Sequence, residues 1–167
     1  MSSSHKFVID TNIFIEAYKR YYSFDIAPSF WDALLQHAEN GNIISIDRVK
    51  QEINSFHKND ELSEWANHYF AQWFEPTDKI EVLRIYQEII TWAVQQGQYF
   101  EAAKREFASA ADSWLIAFAK TYNFIVVTHE QFHPNSKSRI FIPNVCHAFN
   151  VPYVDTFDML RRLSIKF

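Results

Sequence analysis

The sequence predicts an α/β chain in which a parallel sheet is covered by helices on both faces. Three observations point there. Phe7-Val8-Ile9, Ile43-Ile44-Ser45-Ile46, Phe124-Ile125-Val126-Val127 and Tyr153-Val154 are short apolar runs of the length of buried strands. The stretches between them carry apolar residues at helical spacing, and strands alternating with helices build parallel sheets. Only two glycines, Gly41 and Gly97, occur among 167 residues, which excludes a Gly-rich phosphate loop of the Walker or dinucleotide type.

The first strand ends in Asp10 and runs straight into a helix over 11–20, with Ile13, Phe14 and Ala17 inward. Pro28, tolerated in a first turn, opens a second helix with Phe30, Trp31, Leu34, Leu35 and Ala38 on one stripe, and Asn40-Gly41 ends it. After the second strand, Asp47 stands where it would cap a third helix carrying Val49, Glu52, Ile53 and Phe56. Residues 60–95 read as two helices broken near Pro76. One would bury Leu62, Trp65, Tyr69 and Trp73, the other Leu83, Tyr86, Ile90 and Val94. Gly97 closes that block, and a helix over 109–121 contains the longest apolar run, Trp114 to Ala119. The last strand leads into a C-terminal helix with Phe157, Leu160 and Leu163. No repeat, low-complexity tract or linker divides the chain, so a single domain over 1–167 is expected.

Composition narrows the function classes. A chain of this length buries a substantial core, and an aromatic share of 17% argues for a packed rather than disordered chain. The lone Cys146 forms no internal disulfide, and Met1-Ser2-Ser3-Ser4-His5-Lys6 lacks the apolar stretch of a secretion signal. No run approaches the roughly 20 apolar residues that span a bilayer. A soluble, cytoplasmic protein without a membrane partner is expected. The formal charge of −4 argues at first against nucleic acid, whose backbone demands positive neutralisation. Yet four acidic residues at element ends, Asp10, Glu52, Asp112 and Glu130, carry that charge between them, and the remainder is neutral. Divalent ions bound there would cancel it, so a nucleic-acid substrate stays compatible with the balance.

Those four residues are the candidate chemistry. Open α/β sheets place ligands at the carboxyl ends of their strands, and carboxylates gathered without cysteines suit hard cations such as Mg²⁺ or Mn²⁺. Phosphodiester hydrolysis needs an activated water, charge relief on the phosphoryl oxygens and stabilisation of the leaving oxygen; two divalent ions roughly 3.5–4 Å apart supply all three. Each residue also has a structural alternative. Asp10 could be an N-cap alone, Glu52 a solvated helix residue, Asp112 the end of a capping-box variant Ser109-Ala110-Ala111-Asp112, and Glu130 an acid in a polar loop.

The run Val8-Ile9-Asp10-Thr11-Asn12, Glu52 after the second strand, Ser109-x-x-Asp112-x-x-Leu115-Ile116-Ala117 and Val126-Val127-Thr128-His129-Glu130 together resemble the PIN domain family of metal-dependent ribonucleases. The resemblance spans nearly the whole chain. It is closest to an uncharacterised bacterial and archaeal PIN-like subgroup, through the aromatic segment 23–31, Ile142-Pro143-Asn144-Val145-Cys146 and Val151-Pro152-Tyr153. It implies a three-layer α/β/α sandwich and endonucleolytic cleavage of single-stranded RNA with Mg²⁺ or Mn²⁺. Small members of the family are often toxins of toxin–antitoxin pairs and commonly dimeric, which implies an antitoxin partner and a homodimer. Asp10, Glu52 and Asp112 match its three central acidic positions. The fourth, usually Asp two residues after the Thr, is here Glu130, which keeps the charge on a longer arm. Thr11, Asn12 and Thr128 match polar positions that orient the acids.

Other features carry less. His129, His133, Cys146 and His147 invite a zinc reading, but Pro134 breaks the helical spacing and no regular ligand pattern completes the set. Lys104, Arg105, Lys137 and Arg139 flank the acids in sequence and could steer a phosphate backbone, against the alternative of solvated loops. Trp65, Tyr69 and Trp73 could stack on unpaired bases, although a helical aromatic stripe is more often packing. The leading expectation is a two-metal endoribonuclease. Its rivals are an inactive PIN-like module that binds RNA or protein, and a small-molecule phosphatase. Haloacid-dehalogenase-type phosphatases also begin with a strand-end Asp but need a second one where Asn12 stands.

Overall fold

The computed structural model describes residues 5–167. Residues 1–4, on which the expectation of no secretion signal partly rests, lie outside the described residues. Five strands, β1 (Phe7–Ile9), β2 (Ile43–Ile46), β3 (Phe74–Glu75), β4 (Ile125–Val127) and β5 (Tyr153–Val154), form one parallel sheet in the order β3-β2-β1-β4-β5. Helices flank it, giving a three-layer α/β/α sandwich. These are α1 (Thr11–Glu16), α2 (Pro28–Glu39), α3 (Asp47–Phe56), α4 (Glu61–His68), α5 (Ile80–Gln95), α6 (Glu101–Ser109), α7 (Ala111–Tyr122), α8 (Ile142–Phe149) and α9 (Thr156–Arg162). β1, β2 and β4 are apolar and almost wholly buried, as central strands of a covered parallel sheet must be.

The order places the functional end. From β1 the chain moves outward through β2 to β3, then returns to the other side of β1 for β4 and β5. β1 is thus the strand at which the winding reverses, and the crevice beyond its carboxyl end is the usual ligand site of such sheets. Asp10 stands at that end.

The largest fully buried side chains, Trp31, Phe7, Phe14, Phe30 and Phe70, are aromatic. Phe14 meets Trp65, Phe70 and Phe74 at centroid distances of 5.9, 5.7 and 6.2 Å. Trp31 packs on Trp65 and Phe24, and its indole N–H donates to Tyr22 O at 2.6 Å. This cluster fastens α1 to α4 and β3.

Several sequence expectations are corrected. The first helix becomes a π-helical turn at Ala17–Tyr21. Asp47 does not cap α3; its carboxylate accepts from Thr77 N–H at 3.2 Å and Thr77 Oγ1 at 2.9 Å, tying α3 to the segment after β3. The break near Pro76 contains β3, paired with Ser45 and Ile46 of β2. The buried stripe of α5 is Val82, Ile89 and Ala93, because α5 packs along α7 on that side; Leu83 and Val94 face outward. Tyr69 is 64% exposed and Trp73 half-buried, so only Leu62 and Trp65 of that expected face are core. α6 and α8 were not expected, and α7 begins at Ala111 rather than Ser109. Among the described residues, no helix is long and apolar enough to cross a membrane.

Candidate metal centre

Asp10 occupies the N-cap position of α1, yet its side chain caps nothing. Its N–H donates to Val127 O at 3.1 Å, extending the β1–β4 pairing by one residue and fixing the side chain at the crevice. The residue is 1% exposed, and its Oδ2 accepts from Thr128 Oγ1 at 3.3 Å. Burial, then the charges of Asp112, Glu130 and Glu52, push its carboxyl well above the usual range, against the Thr128 hydrogen bond.

Asp112 lies in the first turn of α7, where a carboxylate is favoured by the helix dipole. The capping box weighed as an alternative is absent: Ala110 is the N-cap residue, and Ser109 Oγ donates to Glu106 O. The free Ala111 N–H donates instead to Glu52 Oε2 at 2.9 Å, while Glu52 Oε1 accepts from Thr11 Oγ1 at 2.7 Å. Glu52 is therefore no solvated helix residue. It bridges the turn after β1 to the start of α7 and sets Asp112 against Asp10. Asp112 has no hydrogen-bond donor among the described residues. Burial, Glu130 and Glu52 raise its carboxyl to about 7, with Glu106 adding to the effect and Arg139 opposing it.

Glu130 follows β4. Its N–H donates to Thr128 Oγ1 at 3.1 Å, so that threonine links the first and fourth acids. Glu130 Oε1 accepts from Ile142 N–H at 2.8 Å, and Oε2 from the Arg139 guanidinium at 2.6 Å. Ile142 opens α8, so Glu130 satisfies one of that helix's free N–H groups.

The fold thus gathers four carboxylates from 120 residues of sequence into one electrostatically coupled group at the sheet's switch point. The donor set suits a hard divalent ion: it is all oxygen, and Asp10 is buried with three like charges around it. Among the described residues, no three His, Cys, Asp or Glu side chains converge closely enough to form a ready-made cage. The reason is visible in the hydrogen bonds. Both oxygens of Glu52 and both of Glu130 are turned to other donors, leaving Asp10 and Asp112 as the acids with oxygens to offer.

The family described as domain of unknown function DUF4411 matches residues 7–167. The chain belongs to that family. The search among curated proteins finds no match. Among solved structures, the fold is similar to that of FitAcB from Neisseria gonorrhoeae, with TM-score 0.53 and 19% identity over 88% of this chain and 95% of that one. It is also similar to VapBC2 from Rickettsia felis bound to a DNA fragment from their promoter, with TM-score 0.56 and 17% identity over 89% and 97% of the two chains.

In this DUF4411 chain the remaining expected residues divide. Thr11 and Thr128 touch acids directly, whereas Asn12 is exposed and no hydrogen bond ties it to the four. Lys104 is not presented to the site. Its ammonium donates to Val94 O at 2.7 Å and pairs with Glu101, which neutralises the carboxyl end of α5. Arg105 and Lys137 are exposed, and Arg139 reaches the acids. The histidines and Cys146 form no metal-holding group among the described residues: His129 meets Thr156, His147 meets Tyr153, His133 packs on Phe141, and burial pushes the Cys146 thiol up to about 12. Trp65 is core.

Sequence reasoning missed Glu106, which lines a small cavity of about 30 Å³ with Asp112 and Arg139. Recognising α6 as a helix would have put this acid in its last turn, six residues before Asp112. It also missed the backbone donors Ala111 N–H and Ile142 N–H, for which side-chain patterns hold no signal.

Proposed function

We propose that the chain is a Mg²⁺- or Mn²⁺-dependent endoribonuclease acting on single-stranded RNA, and that it is the toxin of a toxin–antitoxin pair, working as a cytoplasmic homodimer. The observation that carries the nuclease reading is the gathering of Asp10 and Asp112 with Glu52 and Glu130 beyond β1, where burial, and then mutual repulsion, holds two carboxyls above their ordinary range. Such strain at a sheet's switch point marks a site for a cation. The toxin reading rests on the PIN resemblance and on the fold shared with FitAcB and VapBC2.

Asp10 and Asp112 would hold the ion. Bound there, it would supply a water that is nucleophilic near neutral pH and relieve charge on the phosphoryl oxygens. Thr128 fixes the Asp10 carboxylate, and Glu52 fixes the helix end that carries Asp112. The N–H groups of Arg139 not engaged by Glu130 are available to a phosphate oxygen, and exposed Lys137 and Arg105 add positive field nearby.

Cleavage of a single-stranded RNA in Mn²⁺ is the test. Asp10→Asn and Asp112→Asn are expected to fall to the level of the buffer control, and a chelator to abolish parent activity. Undiminished cleavage by both variants would remove the assignment. A second reading, a PIN-like module that binds RNA or protein without turnover, is favoured by the absence of a preformed cage among the described residues and the engagement of both Glu130 oxygens. RNA binding of equal strength with and without divalent ions, and no cleavage, would select it.

A further inference from the structure

We propose that Arg139 takes the place of a second metal ion, so that the acidic centre binds one divalent cation rather than two. This rests on the metal-centre reading above and narrows it.

The fourth acid is already neutralised. Among the described residues, the only ion pair formed by any of the four acids is that between Glu130 and Arg139. It differs from an ordinary surface pair, which is worth little. The Glu130 side chain is only 11% exposed, and its second oxygen is held by Ile142 N–H. Turning Glu130 toward a metal would strip the guanidinium of its counter-charge and leave the first turn of α8 without its acceptor. Both losses work against ligation.

Arg139 is also held where it stands. Its side chain is 45% exposed, but its guanidinium lies 5.1 Å from the centroid of the Phe141 ring, a cation–π distance. The loop that carries it is anchored along its length. Gln98 Nε2 donates to Pro134 O and Ser136 O at 2.9 Å, Phe100 N–H to Lys137 O at 2.8 Å, and Ser136 Oγ to Arg139 O at 2.5 Å. Arg139 lines one small cavity with Asp112 as well as pairing with Glu130, so its positive charge stands beside the centre as a cation would. A fixed guanidinium keeps donors free after pairing with one carboxylate, and it offers them in a plane suited to a phosphate. That leaves Asp10 and Asp112 as the acids with oxygens to offer a divalent ion.

Mn²⁺ titrated into the full chain, followed by calorimetry and by electron paramagnetic resonance, decides this without reference to activity. The parent is expected to bind one ion per chain and to show no coupling between paired Mn²⁺ ions. Glu130→Gln is expected to keep one ion with affinity within a few-fold of the parent, and Arg139→Lys to keep one ion. Arg139→Met frees the carboxylate and is expected to admit a second ion, which the double variant Arg139→Met with Glu130→Gln loses again. Two ions in the parent, or loss of binding in Glu130→Gln, would overturn the proposal and leave the nuclease reading standing. No binding of Mn²⁺ by the parent would bring down both. The parent and Glu130→Gln results bear on the idea even if Arg139→Met does not fold.

Discussion

Asp112→Asn is expected to make the ion-free protein more stable at pH 8, by about 2–4 kcal/mol, while removing metal-dependent cleavage. The Asp112 carboxyl titrates near 3.8 when unperturbed and at about 7 in the folded chain. A shift of one unit corresponds to about 1.36 kcal/mol, and the lower bound allows for relaxation around a partly exposed group. The sign follows from proton binding. Between pH 3.8 and about 7 the folded chain holds more protons at this carboxyl than the unfolded chain, so stability falls as pH rises through that window. The contribution is fully present below the unfolded value and lost above the folded one. Asp10, raised in the same direction by burial and by the same neighbours, adds to the trend.

Urea unfolding of parent and variant at pH 4.5 and pH 8 in the presence of chelator measures this. The parent should lose stability between the two, and the variant should lose much less. Added Mn²⁺ should restore the parent at pH 8, since saturating a site to 100 times its dissociation constant stabilises by about 2.7 kcal/mol. The variant should gain little. A variant that is less stable than the parent at pH 8, or equally pH-dependent, would show that Asp112 is not strained by its neighbours.

The same carboxylates explain why the site was partly legible in the sequence. Asp10 ends β1, Asp112 opens α7 and Glu130 follows β4, and such element ends are visible as boundaries between apolar runs and helical stripes, whereas Glu52 lies inside α3. What each oxygen does was not visible. Glu52 meets Ala111 N–H across 59 positions, and a backbone donor has no residue type to announce it. The fold behaves likewise. β1, β2, β4 and β5 are apolar runs that advertise themselves, whereas β3 is two residues made a strand by pairing with β2. α6 buries only Ala103 and Phe107, too few for a stripe, and α8 carries Pro143 in its first turn, which reads equally as a loop. The displaced stripe of α5 has a tertiary cause: packing along α7 selects Val82, Ile89 and Ala93 over equally apolar neighbours.

Phe14→Ala is expected to cost about 3–5 kcal/mol of stability, the range for truncating a fully buried aromatic side chain. Phe14 is 0% exposed and stands on α1, four residues beyond Asp10. Its ring touches Trp65 of α4, Phe70 and Phe74, so its loss opens a cavity where the first helix meets β3. Those neighbours also pack on one another, with Trp65 stacked on Phe70 at 5.1 Å, and such a cluster collapses poorly into the space left. Denaturant unfolding at pH 4.5 isolates the effect, because the repulsion among the acids is largely relieved there. A melting temperature lowered by roughly 6–20 °C is the corresponding thermal result for a chain of this size. A loss below about 1 kcal/mol would mean that the aromatic cluster is not what fastens α1, and that the position of Asp10 depends on the sheet alone.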